Sequence, residues 1–160
     1  MKAVIDNALP PEMFAALAAT KASAEGLDQC VGNQSVHHTK EFQQAEFPPI
    51  LLEHVKKVCG NVEWTGAYYV LTSVGHYGSS PHYDEGPSAI LHLATEWSPE
   101  YGGELLFLES DEETVVETVE YRPNRLVVFS GEHCHMHKPP VLDKNRITLV
   151  SRFIERPNHG

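Results

Sequence analysis

The sequence predicts a mainly β domain, an antiparallel sandwich or barrel preceded by two helices. Three observations point there. From Ala67 onward, short runs rich in Val, Ile, Leu, Tyr and Phe recur with Gly, Pro, Asn or Asp between them, the texture of antiparallel β proteins. Before Trp64, two segments open on Pro-Pro pairs and carry helix-forming residues, and proline suits the first turn of a helix. Finally, 160 residues with 41% apolar content suffice for one packed core, and the 11 prolines and 11 glycines are scattered as turn punctuation. A single domain over residues 1–160 is expected, helical to about residue 60 and β from about 64 to 156.

Taken in order, Ala3–Ile5 reads as a short strand. PEMFAALAATKASAEGL follows as an alanine-rich helix closing near Gly26. Residues 27–46 are polar and irregular and include the pair His37–His38. PPILLEHVKKVCG is the second helix, ending at Gly60. Then come six β runs: AYYVLTSV, SAILHLA, GELLFLE, ETVVETVEY, NRLVVFS and RITLVSRFI. No internal repeat or linker interrupts them.

Charge and cysteines narrow the function. Twelve basic residues face 22 acidic ones, a net charge of −10, and that field disfavours binding along a nucleic-acid backbone. Three cysteines, Cys30, Cys59 and Cys134, are an odd number without CxxC spacing. This argues against a disulfide framework or a thiolate zinc site and for a reducing, cytoplasmic compartment. The N-terminal residues lack an apolar signal core, and no run reaches membrane-spanning length, so no membrane partner is expected. Oligomeric state is not legible.

The chemistry concentrates in two clusters. SSPHYDEG sets His82 and Asp84 two residues apart, so on an extended chain both side chains leave one face and can reach one ion. An imidazole and a carboxylate are two parts of the 2-His-1-carboxylate triad of non-haem ferrous oxygenases, although a polar strand end would look the same. FSGEHCHMHKPP follows an apolar strand and alternates His133, His135 and His137. A histidine-rich surface turn is the plain alternative. Arg146 opens the next strand, where a bidentate cation could hold the remote carboxylate of a keto acid. Cys134, between the histidines, is expected to point into the core.

The ordered series PHYD, LHLATEW, YGGELLFLE, RPNRLVVFSGEHCH and RITLVSRF resembles the Fe(II)/2-oxoglutarate-dependent dioxygenases, specifically their prolyl-hydroxylase-like branch, over about residues 68–154. The resemblance implies a double-stranded β-helix, a jelly roll of cupin-like form. It implies Fe(2+) held by His82, Asp84 and a distal histidine, with His135 preferred, His137 the alternative and His133 the least suited. It implies Arg146 on the distal carboxylate of 2-oxoglutarate. His92 falls where such enzymes often carry a tyrosine contacting that carboxylate, although an inward-facing core histidine would look alike, and Thr148 is a lesser candidate. Three protein ligands would leave three positions on an octahedral ion, two for the keto acid and one for O2. Hydroxylation of a peptidyl proline, an amino acid or a small metabolite is the activity implied.

The chain departs from the pattern upstream of the first ligand. Thr72 and Ser73 stand where relatives carry a tyrosine, with His76 and Tyr77 as nearby substitutes. Asp84, rather than a small residue, argues against a halogenase. An AlkB-like nucleic-acid demethylase is the rival enzyme, because Arg146 and Arg152 keep that group's double-arginine spacing. A non-catalytic cupin-like binding module is the rival from another class, and it would have no use for Arg146. A zinc hydrolase lacks the accompanying glutamate motif. A lid, if there is one, would come from residues 27–46 or 72–81.

Overall fold

The computed structural model describes residues 1–22, 36–38, 47–75 and 78–157. Helix α1 (Pro11–Ala22) and helix α2 (Pro49–Cys59) precede most of the sheet. Pro49 begins α2, where its missing N–H costs no hydrogen bond. Gly60 ends it at φ 81°, donating its N–H to the Lys56 carbonyl at 2.9 Å. That left-handed cap is one glycine adopts without a Cβ penalty.

Nine strands among the described residues form two sheets. Strands β1 (Lys2–Ile5), β2 (Val36–His38), β3 (Val62–Ser73), β4 (Ser88–His92), β7 (Leu126–Phe129) and β9 (Asn145–Glu155) make the larger sheet, in the order β1-β7-β4-β9-β3-β2. Strands β5 (Leu105–Leu108), β6 (Val115–Val119) and β8 (Cys134–His137) make the smaller, in the order β6-β5-β8. A single bridge between His82 and His135 adds the segment before β4 to the edge of β8. From β3 onward the chain therefore passes back and forth between the sheets, and every pairing is antiparallel. This is a double-stranded β-helix, the jelly roll implied by the sequence. β2 is a strand in a region read as irregular, and it pairs with β3. The rest of residues 27–46, together with His76 and Tyr77, lies outside the described residues.

Period-two alternation sorts the larger sheet's side chains onto two faces. One face carries Ala67, Tyr69, Leu91, Val128, Leu149 and Phe153, and it is covered by Leu17 of α1 and by Leu51 and Val55 of α2. Between the sheets lie Val70, Ile90, Phe107, Val127, Phe129 and Val150. Because both faces are covered, β4 and β7 are buried at every position, β7 as a continuous apolar run and β4 with apolar residues between Ser88 and His92. Cys134 is buried, as expected, but not in either of these layers. It packs with Leu106 and Leu108 on the far side of the smaller sheet, since alternation sends it opposite to His135.

Candidate metal centre

β8 carries His135 to the inner side of the smaller sheet, and the segment containing His82 is laid against it. The His82 N–H donates to the His135 carbonyl and the His135 N–H to the His82 carbonyl, both at 3.0 Å. A directly opposed pair puts its side chains on one face, and the two rings lie 4.3 Å apart. The segment is not a regular strand. His82 makes its only bridge, and Asp84 reaches the same point from the irregular stretch beyond. Close packing allows this, because a Cβ on Gly131 would come within 2.5 Å of the Asp84 carbonyl oxygen.

His82, Asp84 and His135 each offer one ligand atom, all within 4.8 Å of one another. Asp84 Oδ1 lies 3.9 Å from His82 Nε2, and its Oδ2 lies 3.7 Å from His135 Nε2. The His82 Nδ1 is 2.7 Å from the Ser80 carbonyl and the His135 Nδ1 is 3.0 Å from the His133 carbonyl. A carbonyl only accepts, so both Nδ1 atoms carry the proton and both Nε2 lone pairs are left for an ion. Burial pushes the His135 imidazole down to about 4, opposed by its bond to the His133 carbonyl and by Asp84, so it is neutral near pH 7. For Asp84, burial alone would raise the carboxyl. Hydrogen bonds from Ser88 and Arg152, with the Arg152 charge, outweigh it and hold the group ionised.

A cavity of about 100 Å³ runs from these three residues to Arg146. Arg146 is 1% exposed. Its Nε donates to the Gly103 carbonyl at 2.7 Å, and its guanidinium lies 5.4 Å from the centre of the Tyr121 ring. No carboxylate among the described residues pairs with it, and its Nη2 has no partner. Burial pushes it down to about 10, which leaves it charged. His92 lies on the same inward face, opposite Thr148 in the register, but it is not part of the cavity lining. Its ring stacks on Tyr121 at 4.2 Å. Its Nδ1 accepts the Arg122 N–H at 3.1 Å, so its Nε2 carries the proton, and that atom too lacks a partner. Thr148 lines the cavity.

His137 is set apart from the metal-ligating group. Its Nε2 is 3.0 Å from the Thr72 hydroxyl, on the cavity wall beside Arg146, which Thr72 faces directly across β3 and β9. His133 is not part of the cavity lining, and its ring lies edge-on to Phe107 at 5.9 Å.

The sequence reading missed three contributors: Ser88, which holds the carboxylate, the pair Thr72–His137, and Arg152 in its contact with Asp84. The signal was register. Ser88 faces Arg152 and His92 faces Thr148 across β4 and β9, so every second residue from Arg146 to Arg152 looks into one cavity.

A family model described as the 2OG-Fe(II) oxygenase superfamily matches residues 68–153. A search of curated proteins finds no match. Among solved structures, a Pseudomonas putida prolyl-4-hydroxylase is similar with TM-score 0.71 and 21% identity over 98% of this chain and 93% of that one. The α-ketoglutarate-dependent epimerase SnoN of nogalamycin biosynthesis has TM-score 0.76 and 12% identity over 96% of this chain and 77% of that one. The viral collagen prolyl hydroxylase of Paramecium Bursaria Chlorella virus-1 has TM-score 0.67 and 14% identity over 98% and 96%. At these identities the likeness is one of fold.

Proposed function

From the premise that the chain belongs to the 2OG-Fe(II) oxygenase superfamily, we propose that His82, Asp84 and His135 hold its ferrous ion and that Arg146 anchors its 2-oxoglutarate. As a member of that family the protein is an oxygenase that couples oxidative decarboxylation of 2-oxoglutarate to oxidation of a second substrate. The ion, when bound, supplies the oxygen activation for that coupling.

The residues fit the group they would hold. Two imidazoles with oriented Nε2 atoms and one ionised carboxylate are a mixed N,O donor set suited to Fe(2+). One observation carries the co-substrate assignment: Arg146 is a buried cation without a counterion among the described residues, its Nη2 unpartnered among them beside a cavity whose other end bears the metal donors. A buried unpaired charge is costly, and the remote carboxylate of a keto acid would supply the missing anion. His92 Nε2–H is a second buried donor without a partner on that face and is assigned to the same carboxylate. Val70, Ile90, Leu105 and Val150 line the space between with apolar side chains.

The substrate is proposed to be a small molecule or a peptide, which is hydroxylated. The net charge of −10 supports this over a nucleic acid. A cytoplasmic location is supported by Cys59 and Cys134, which are free thiols. No described helix is long and apolar enough to cross a membrane.

The test is calorimetric titration of 2-oxoglutarate into anaerobic, iron-loaded protein. Arg146→Ala should weaken binding by about ten- to a hundred-fold, the value of one charge-assisted bidentate pair. Lys should restore part of it, and iron affinity should not change. Equal affinity in all three proteins would overturn the assignment.

A further inference from the structure

Arg152 is the second guanidinium on the metal cavity, and its setting differs from that of Arg146. It lines both the inner cavity and an outer cleft of about 360 Å³ that also takes in Thr65, Glu85, Pro87 and Phe153. It is therefore shared by the two. Its Nη1 reaches Asp84 and, at 3.5 Å, the Ser88 hydroxyl, while its Nη2 donates to the Tyr68 hydroxyl at 2.8 Å. A guanidinium has five N–H groups. The Nε–H and one Nη2–H have no partner among the described residues, and the side chain is 34% exposed.

Charge decides what such a group wants. A divalent ion, the Asp84 carboxylate, the 2-oxoglutarate dianion and the Arg146 guanidinium together come to neutral. Arg152 is the positive charge left over, and a metal cation on Asp84 weakens the one ion pair it has. Glu85, on the wall of the same cleft, sets that cleft against polyanions but leaves room for a single carboxylate at Arg152. Resting on the functional reading above, we propose that Arg152 binds a carboxylate of the oxidised substrate, which lies in the outer cleft with its neighbouring carbons turned toward the metal donors. Because Arg152 touches Asp84 itself, a group held on it lies one side chain from the ion. The carboxylate belongs either to a free small acid or to a peptide terminus, and both share this chemistry.

The test uses iron- and 2-oxoglutarate-saturated protein and a panel of matched probes. The panel comprises free amino acids, N-acetyl amino acids and short peptides, each as the acid and as its primary amide. Two readouts are taken: succinate released above the substrate-free background, and anaerobic calorimetric binding to the manganese-loaded protein. At least one acid should act and bind at least about tenfold better than its amide, the scale of one charge-assisted pair. The ratio should collapse below about twofold in Arg152→Gln and persist in part in Arg152→Lys. The ratio is internal to each variant, so a lower metal affinity in either leaves it readable, and the wild-type ratio stands even if Gln fails to fold. Which arm responds, free acids or peptides, identifies the source. Amides as effective as acids, no active acid, or a ratio unchanged in Arg152→Gln each overturn the proposal. Loss of 2-oxoglutarate binding in the wild type would instead sink the functional reading beneath it.

Discussion

Asp84 is the residue on which the site's electrostatics turn, because each of its oxygens is held by another side chain. Ser88 donates to Oδ2 from a fully buried position at the start of β4, and Arg152 holds Oδ1. Removing such an orienting partner usually costs ten- to a hundred-fold in metal affinity. Ser88→Ala should therefore bind ferrous iron about tenfold more weakly while keeping its circular dichroism spectrum, as anaerobic metal titration would show. The histidines separate more sharply. Because His135 faces His82 and His137 is engaged by Thr72, His135→Ala should lose tight iron binding and His137→Ala should keep most of it. Iron retained by the first variant and lost from the second would transfer the ligand role. Residue chemistry was the most legible layer: short motifs in chain order single out His82, Asp84 and Arg146, the resemblance prefers His135 over His137, and the structure gathers all four around one cavity. Ser88 was not, because a serine opening an apolar strand carries no signal until register places it opposite Arg152.

At the scale of elements, β9 shows how one strand serves two masters. Its even-numbered residues from Arg146 to Arg152 look into the site, while Leu149 and Phe153 pack beneath the helices. The helical layer is thus separated from the chemistry by the thickness of a sheet. Leu51→Ala on α2, at a position 1% exposed, should cost about 2–5 kcal/mol in urea unfolding, the range for a buried leucine. Iron and 2-oxoglutarate affinities should stay within about twofold, since distant sites act independently. Both described helices and most strands were readable from proline starts, glycine stops and apolar runs. β8 was not among those runs, because its four residues, Cys134–His137, carry two histidines that tertiary packing alone makes a strand. β2 was hidden for the same reason, in a polar stretch with no periodicity.

For the whole molecule, the buried cations and imidazoles link stability to pH and to ligands. His92 is neutral and enclosed, its pKa driven well below the usual imidazole value first by burial and then by Arg146 and Arg125. As pH falls below about 6.5, the unfolded chain takes up a proton that the folded one refuses, so stability is lost toward acid at up to about 1.4 kcal/mol per pH unit. In urea unfolding of metal-free protein between pH 7 and 5.5, His92→Gln should show a shallower loss than wild type, and an equal slope would refute the buried neutral imidazole. The topology has a further consequence at the bridge between His82 and His135. One reciprocal pair of backbone hydrogen bonds joins two stretches that are far apart in the chain, and the ion's proposed donors stand directly above it. An ion there would act as a clasp that closes the long intervening loop, so local opening at that bridge would require letting go of the metal. The amide protons of His82 and His135 are then built-in reporters of occupancy. Their exchange with deuterated water should slow on loading with metal, while the amides of β1, paired to β7 at the far edge of the larger sheet, keep their rates.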